Sequence, residues 1–422
     1  MNVYTEERLM KMSVHTLRVI LRSEFNGLPG VCNKNELISQ ILSIQSGKEA
    51  PARSTKGRKP LGEFITPING EVSLADSGVD KSEGVVKGIV ELNEAGYGLL
   101  WSEIKDGVYA DYFLAKPLVK KYGLNTGDLV EGVAQYSGEI GAIKIQSINF
   151  VNGKTPELDS EVQRALLKPQ YPTKKHQLNH ISPIITAIDG FCPIGKGQRC
   201  LVEDSTGKYG TQFVKGLSSA LSGVKTFVIY VGAKPEDVAE IEQTSDKKVV
   251  VLPATSSLEE VIRGINLTFE RARVLVENGE DVVVVIDSLS SVASCYEDYL
   301  SLSQNDKGFI NTLLTKIKYV NGLFSLGGNF GDGKSLTVIS VFNPSRDVAL
   351  FGELLDLATS VIRLKSCDVF ERRGYVIDLV NSYTDKDELL LSEEEISFAD
   401  GVRRELNKNE DKLADIYLEL SK

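Results

Sequence analysis

The sequence predicts a multidomain α/β protein with an N-terminal helical hairpin, a five-stranded barrel and a larger domain built on a parallel sheet. Three observations carry this expectation. The hydrophobic pattern changes along the chain from helical spacing, to short strand-like runs, to continuous apolar runs set between helical stretches. The length of 422 residues accommodates several domains at about 100–200 residues each. The composition, 42% hydrophobic and 25% charged, is that of an ordinary globular chain.

The helical unit spans residues 1–45. Val14, Leu17 and Leu21 share one helical face, and Gly27-Leu-Pro-Gly breaks the first helix. A second helix starts near Asn33, with Glu36 three residues on as a capping partner, followed by Leu37, Ile41 and Leu42. Residues 46–82 form a linker, whose opening stretch to Pro60 is rich in Gly, Ser, Pro, Lys and Arg. Residues 83–152 contain five strand-like runs, beginning at Gly84, Gly96, Val108, Asp128 and Ala142. Five strands in so short a span suit a small barrel. From residue 178 to 422 strands alternate with helices. The apolar run Asp281–Asp287 follows a helical stretch over 258–278, and further strands are expected at 227–231, 249–252, 335–342 and 360–364. Such runs belong to a parallel sheet covered on both faces.

Several classes are excluded at this level. No apolar run approaches the roughly 18 residues of a membrane span, and the first eleven residues lack the apolar core of a secretion signal. Five scattered cysteines (Cys32, Cys192, Cys200, Cys295, Cys367) argue against a disulfide framework or zinc knuckle and for a reducing, cytoplasmic setting. Three histidines, His15, His176 and His180, are too few for a His-rich metal site. The formal charge is −10, yet residues 1–60 hold ten basic against five acidic side chains. Local basic patches, rather than the global charge, govern phosphate contacts.

Several motifs, in order, build a resemblance. Gly96-Tyr-Gly-Leu-Leu and Leu124-Asn-Thr-Gly-Asp128 lie in the barrel. Leu167-Lys-Pro-Gln-Tyr-Pro, Pro193-Ile-Gly-Lys-Gly-Gln-Arg199, Lys234-Pro-Glu-Asp-Val238, 281–288 and Asn381-Ser-Tyr-Thr-Asp-Lys-Asp-Glu-Leu-Leu390 follow. Together they resemble the bacterial transcription termination factor Rho family over nearly the whole chain. The resemblance implies a Rho-type N-terminal domain, a cold-shock (OB-like) RNA-binding barrel and a RecA-like, phosphate-loop ATPase-type domain. It also implies ATP and Mg²⁺ as cofactors, single-stranded RNA as partner, and a ring, either of identical subunits or mixed with an active Rho. RNA polymerase is a further partner of this kind of factor.

A phosphate loop needs amides that cradle phosphate, a Lys for the β/γ-phosphates and a Ser/Thr hydroxyl on Mg²⁺. The corresponding stretch is Val202-Glu-Asp-Ser-Thr-Gly-Lys-Tyr-Gly-Thr211. Two registers are open. One pairs Gly207 and Lys208 with the motif's Gly-Lys and leaves Tyr209 at the hydroxyl position. The other, counted without a gap from Arg199, keeps Thr211 but puts Gly210 where the lysine belongs. By resemblance, Gly195, Lys196, Gly197, Gln198, Arg199, Thr206, Gly207, Lys208, Thr211 and Lys234 are the nucleotide-site residues and Asp287 the metal residue. Asp287 also reads as the N-cap of the helix that follows. Where the family carries the acid that polarises water, this chain has Gly232 and Ala233; neither can orient a water molecule. The arginine-finger position, twelve residues before Asp378, is Ser366.

Cold-shock barrels stack bases on exposed rings and hold phosphates with basic groups. Tyr97, Trp101 and Phe113 form the expected platform, with Lys120 and Lys121 beside it; the alternative is that the rings fill the barrel. The functional expectation is a Rho-like RNA-binding factor of transcription termination with weak or absent ATP hydrolysis. The alternative is a non-catalytic pseudo-ATPase that modulates Rho or RNA polymerase.

Overall fold

Apolar residues at helical spacing close the N-terminal unit. Helix α1 (Lys34–Gln45) buries Leu37, Ile38 and Ile41 against Tyr4, Leu9, Leu17, Ile20 and Leu21. The computed structural model describes residues 34–46, 84–105, 108–137, 142–155, 169–232, 234, 236, 248–252, 256–303, 309–331, 334–367, 374–409 and 412–420, with isolated positions before α1. The linker expected at 46–82 lies, apart from Ser46, outside the described residues.

The five expected runs are the strands of a closed barrel: β1 (Gly84–Leu92), β2 (Gly98–Lys105), β3 (Val108–Leu114), β4 (Leu129–Ser137) and β5 (Ala142–Val151). They pair in the order β1-β2-β3-β5-β4. Alternation puts Val90, Leu100, Tyr112, Leu114, Val130, Ala134, Ile145 and Ile148 inside. A short helix not read from the sequence, α2 (Lys116–Lys121), follows β3; Pro117 opens it and Val119 anchors it. The Leu124–Asp128 motif earns its place through Asp128, whose buried carboxylate accepts from the Asn125 amide at 2.7 Å and from Asn152 Nδ2 at 2.9 Å. That network ties the β4 entrance to the β5 exit.

The large domain is a sheet in the order β13-β12-β6-β11-β9-β7-β8. Its parallel strands are β6 (Arg199–Glu203), β7 (Lys225–Val231), β8 (Lys248–Leu252), β9 (Asp281–Asp287), β11 (Ser335–Phe342) and β12 (Ser360–Cys367). Two-residue strands β10 (Gly328–Asn329) and β14 (Tyr383–Thr384) flank it, and β13 (Gly374–Ile377) runs antiparallel on the β12 edge. One face is covered by α3 (Pro183–Phe191), α4 (Gly210–Ala220), α9 (Glu393–Lys408) and α10 (Leu413–Glu419). The other is covered by α5 (Leu258–Glu277), α6 (Leu289–Ser303), α7 (Phe309–Phe324) and α8 (Val348–Leu357). Burial on both faces is why β9 reads as an unbroken apolar run and why all of β11, its Ser335, Thr337 and Ser340 included, is buried. Helix α5 starts at a capping box in which Ser257 and Glu260 satisfy each other's backbone amides. No described helix is long and apolar enough to cross a membrane.

The barrel docks on α5. Ile89, Trp101 and Leu129 on its outer surface pack against Leu267. Arg271 reaches Asn152 Oδ1 at 2.5 Å and the Gly127 carbonyl at 3.4 Å. Gly127 has φ +94°, and a Cβ there would lie 2.5 Å from the Glu270 carbonyl oxygen, so only glycine permits this approach.

Near the start of β11, His176 is buried with Nε2 2.7 Å from Thr337 Oγ1. Burial, helped by the nearby Lys196 cation, pushes its pKa down to about 4. The unfolded chain therefore takes up this proton first as pH falls, and the histidine's contribution to stability, full above its unfolded pKa of about 6.5, is lost on the way down to 4. Urea unfolding should find the protein about 2 kcal/mol less stable at pH 5 than at pH 7.5 from this residue. The difference should be missing in His176→Gln.

Candidate nucleotide loop and nucleic-acid interface

Strand β6 ends at Glu203 and helix α4 begins at Gly210. The six-residue loop between them turns around one side chain, Asp204, which is 1% exposed. Its Oδ1 accepts from the amides of Thr206 (3.1 Å) and Gly207 (2.9 Å) and from the Thr206 hydroxyl (2.7 Å). Its Oδ2 accepts from the amides of Tyr209 and Gly210, both at 2.8 Å. In a phosphate loop, amides of this kind hold phosphate oxygens. Here a carboxylate of the chain itself takes them.

A second contact bears on the register. Thr211 Oγ1 donates to Asp287 Oδ2 at 2.6 Å, joining the first turn of α4 to the end of β9. Thr211 and Asp287 thus stand where the hydroxyl and the metal-organising carboxylate of such folds belong. This contact agrees with the ungapped alignment, which has Gly210 at the lysine position. A Cβ on Gly210 would lie 2.7 Å from Val341 Cγ1, so the space a lysine stem needs is filled. Lys208 is exposed on the outside of the loop. The nucleotide lysine has no equivalent among these residues, and the loop does not fit a bound triphosphate as it stands.

Other expected nucleotide-site residues are not brought to the loop. Gly195, Lys196, Gly197, Gln198 and Arg199 precede or open β6, whose five residues separate them from the loop by roughly 16 Å. Their contacts are structural. Gln198 bonds the Gly195 amide at 2.6 Å and the Thr359 carbonyl at 2.8 Å. Gly197 donates its amide to Thr337, Lys196 pairs with Asp281 at 2.7 Å, and Arg199 Nε donates to the Leu357 carbonyl. Assigning them to the cofactor is therefore corrected: nearness in sequence to the loop is undone by a strand running between. Gly232 follows the end of β7 at Val231 and Lys234 is exposed just beyond it; Ala233 lies outside the described residues. Ser366 sits in β12, opposite Tyr375. Arg363, on the same strand, is held by Glu203 at 2.7 Å and by the Asn381 carbonyl.

On the barrel, Tyr97 is 42% exposed and its ring lies 5.6 Å from that of Phe113, tilted by 42°. Phe113 pairs with Leu99 on one side and Lys144 on the other. Lys116, whose Nζ donates to the Ala95 carbonyl, Lys120 and Lys121 are exposed on α2; Lys121 also lies 5.1 Å from the Tyr122 ring. Trp101 does not join this face. It is 9% exposed and packed against Leu267 of α5, so its place in the stacking platform is corrected. Along β2, residues 99 and 101 share the outer surface, but α5 covers only the second.

Two groups escaped the sequence reading. Asp204 is one: an Asp opening a loop that holds a glycine three residues later is a turn signature that could have marked it. Arg263 of α5 donates Nε to Glu91 (2.6 Å) and forks onto Asp111 (2.7 and 2.8 Å), joining partners over 150 residues apart. No local pattern signals such a pairing.

A family model described as the Rho termination factor RNA-binding domain matches residues 86–157. Another, the nucleotide-binding domain of the ATP synthase alpha/beta family, matches residues 185–344. Transcription termination factor Rho of Streptomyces coelicolor is 29% identical over 337 residues, 76% of this chain and 79% of that protein. Its counterpart from Thermotoga maritima is 27% identical over 340 residues, covering 76% and 78%. Among solved structures, a prototypical type III secretion system ATPase matches with TM-score 0.50 at 18% identity, over 61% of this chain and 77% of that one. The assembled ATPase EscN of enteropathogenic E. coli matches with TM-score 0.50 at 15% identity, over 82% and 89%. At these identities the structural likeness concerns the fold alone.

The loop geometry makes Asp204 a stability determinant. Asp204→Asn replaces one accepting oxygen by a donor that faces amide N–H groups, at a buried site. With hydrogen bonds to charged groups contributing about 1.5–3 kcal/mol each, the loss should be about 3–5 kcal/mol in chemical denaturation. Ser205→Ala, on the exposed side of the same loop, should stay within about 0.5 kcal/mol of the parent.

Proposed function

Because the chain belongs to the transcription termination factor Rho family, we propose that it is an RNA-binding factor of transcription termination whose ATPase-type domain no longer turns over ATP. The observation that carries this reading is the Asp204 carboxylate, which takes four loop amides. A nucleotide would have to displace a buried carboxylate that cannot diffuse away, and would meet its negative charge. The missing lysine at Gly210 removes the countercharge for the β/γ-phosphates. Gly232 at the water-polarising position and Ser366 at the finger position support the same conclusion. Loss of an arginine finger by itself costs ~10³–10⁵ in rate in nucleotide hydrolases.

The RNA side of the proposal rests on the barrel. Tyr97 and Phe113 offer a tilted pair of rings on an open face, with Lys144 on the neighbouring strand and Lys116, Lys120 and Lys121 on α2. Rings of this kind stack bases without strong sequence preference, and lysines hold the backbone. The core domain then serves to hold the barrel and to assemble, and its assembly does not depend on Mg·ATP.

Purified full-length protein with single-stranded RNA and Mg·ATP should show no phosphate release above background. Turnover on the order of 1 s⁻¹ that disappears in Asp287→Ala would overturn the proposal. In a fluorescence-anisotropy titration, Tyr97→Ala or Phe113→Ala should weaken single-stranded RNA binding by roughly tenfold, the value of about one stacked base. Unchanged affinity in both folded variants would remove the face from the model.

A further inference from the structure

The outer surface of the barrel is organised in rungs. Glu91, Leu99, Phe113 and Lys144 form one rung across four strands, and Ile89, Trp101 and Asp111 form the next. Helix α5 covers the second rung through Leu267, while the first carries the open Tyr97–Phe113 face. Two carboxylates mark the border. Asp111 lies two residues from Phe113 on the same surface, about 7 Å away along the strand, and Glu91 lies two strands away, roughly 10 Å. Both fall within about a Debye length of any phosphate seated on that face at 0.1 M salt. Left bare, they would repel RNA.

They are not bare. A single guanidinium, Arg263 of α5, contacts both: Nε to Glu91 at 2.6 Å, Nη1 and Nη2 to the two oxygens of Asp111 at 2.8 and 2.7 Å. Its side chain is three-quarters buried, whereas the carboxylates are more than a third exposed. The ATPase-type domain thus supplies a fixed cation at the edge of a surface that belongs to another domain. We infer that Arg263 is a positioning residue for RNA: it halves the negative charge that Glu91 and Asp111 place at the border and so keeps the Tyr97–Phe113 face more attractive to a phosphate backbone. This inference rests on the proposal that the face binds single-stranded RNA. Docking of the barrel does not require both acids for its own sake, because Trp101, Leu267 and the Arg271–Asn152 contact already join the two bodies.

The test uses the full chain and a labelled single-stranded RNA of about ten nucleotides, within the usual site size of such folds. Arg263→Ala should lower affinity on the order of twofold per nearby phosphate at low salt, the Coulombic effect of one lost unit of positive charge at these distances in water. The loss should shrink as salt is raised. Removing all three charges in Arg263→Ala/Glu91→Gln/Asp111→Asn should return affinity at least to the parent level, since the parent keeps one net negative charge there, although no ion pair is rebuilt. A purely structural clamp predicts that this triple variant stays as weak as the single one, and that result would overturn the inference. Glu91→Gln/Asp111→Asn with Arg263 in place keeps the arginine and should bind several-fold more tightly than the parent; no gain there also overturns it. The emission of Trp101, the chain's one tryptophan, reports whether the barrel stays docked in each variant. Failure of the RNA face itself would appear separately, as a parent protein whose binding is indifferent to Tyr97→Ala.

Discussion

The buried carboxylate of Asp204 and the four amides it accepts from decide how the nucleotide end of the large domain is built. A helix N-terminus presents unsatisfied N–H groups and a partial positive charge, and something must meet them. In phosphate-loop folds the ligand does so. In this chain a side chain does so, two oxygens spread over residues 206–210, and the loop is complete without a partner. The rest of the region follows. Gly210 can pack under Val341 because no lysine has to pass. Glu203 and Arg363 pair across neighbouring strands rather than facing a phosphate.

Helix α5 is the second organising element, and it serves two bodies at once. Val261, Ile265, Phe269 and Ala272 pack into the sheet, while Arg263, Leu267 and Arg271 face the barrel. Helical geometry allows both, since the two sets fall on separate faces of 20 residues at 3.6 per turn. The barrel face left uncovered is therefore defined by what α5 covers. Trp101 is drawn into the junction and Phe113, one rung away, is left open.

The preserved contact between Thr211 and Asp287 and the altered loop beside it belong to the same few residues. Thr211 and Asp287 join the first turn of α4 to the end of a buried strand that the sheet needs. A nucleotide-binding-type architecture and a loop filled by its own carboxylate are compatible, since the first is specified by the core and the second by a handful of surface-end residues.

Much of the architecture was legible in the sequence because it rests on local periodicity. The barrel runs, the apolar strands β9 and β11, and the helix over 258–277 each follow from spacing within a dozen residues. The ordered motifs further marked the family and the altered loop. The sequence left open which register the loop adopts, and it placed residues 195–199 and Trp101 in sites to which they do not belong. Those questions depend on contacts between segments far apart in the chain: Thr211 with Asp287, β6 set between its two flanking turns, Trp101 against Leu267. Residue types and spacing determined the strands, the helices and the chemical inventory. Only the tertiary structure decided which groups meet, because hydrogen bonds and ion pairs form by distance in space, and sequence distance does not encode it.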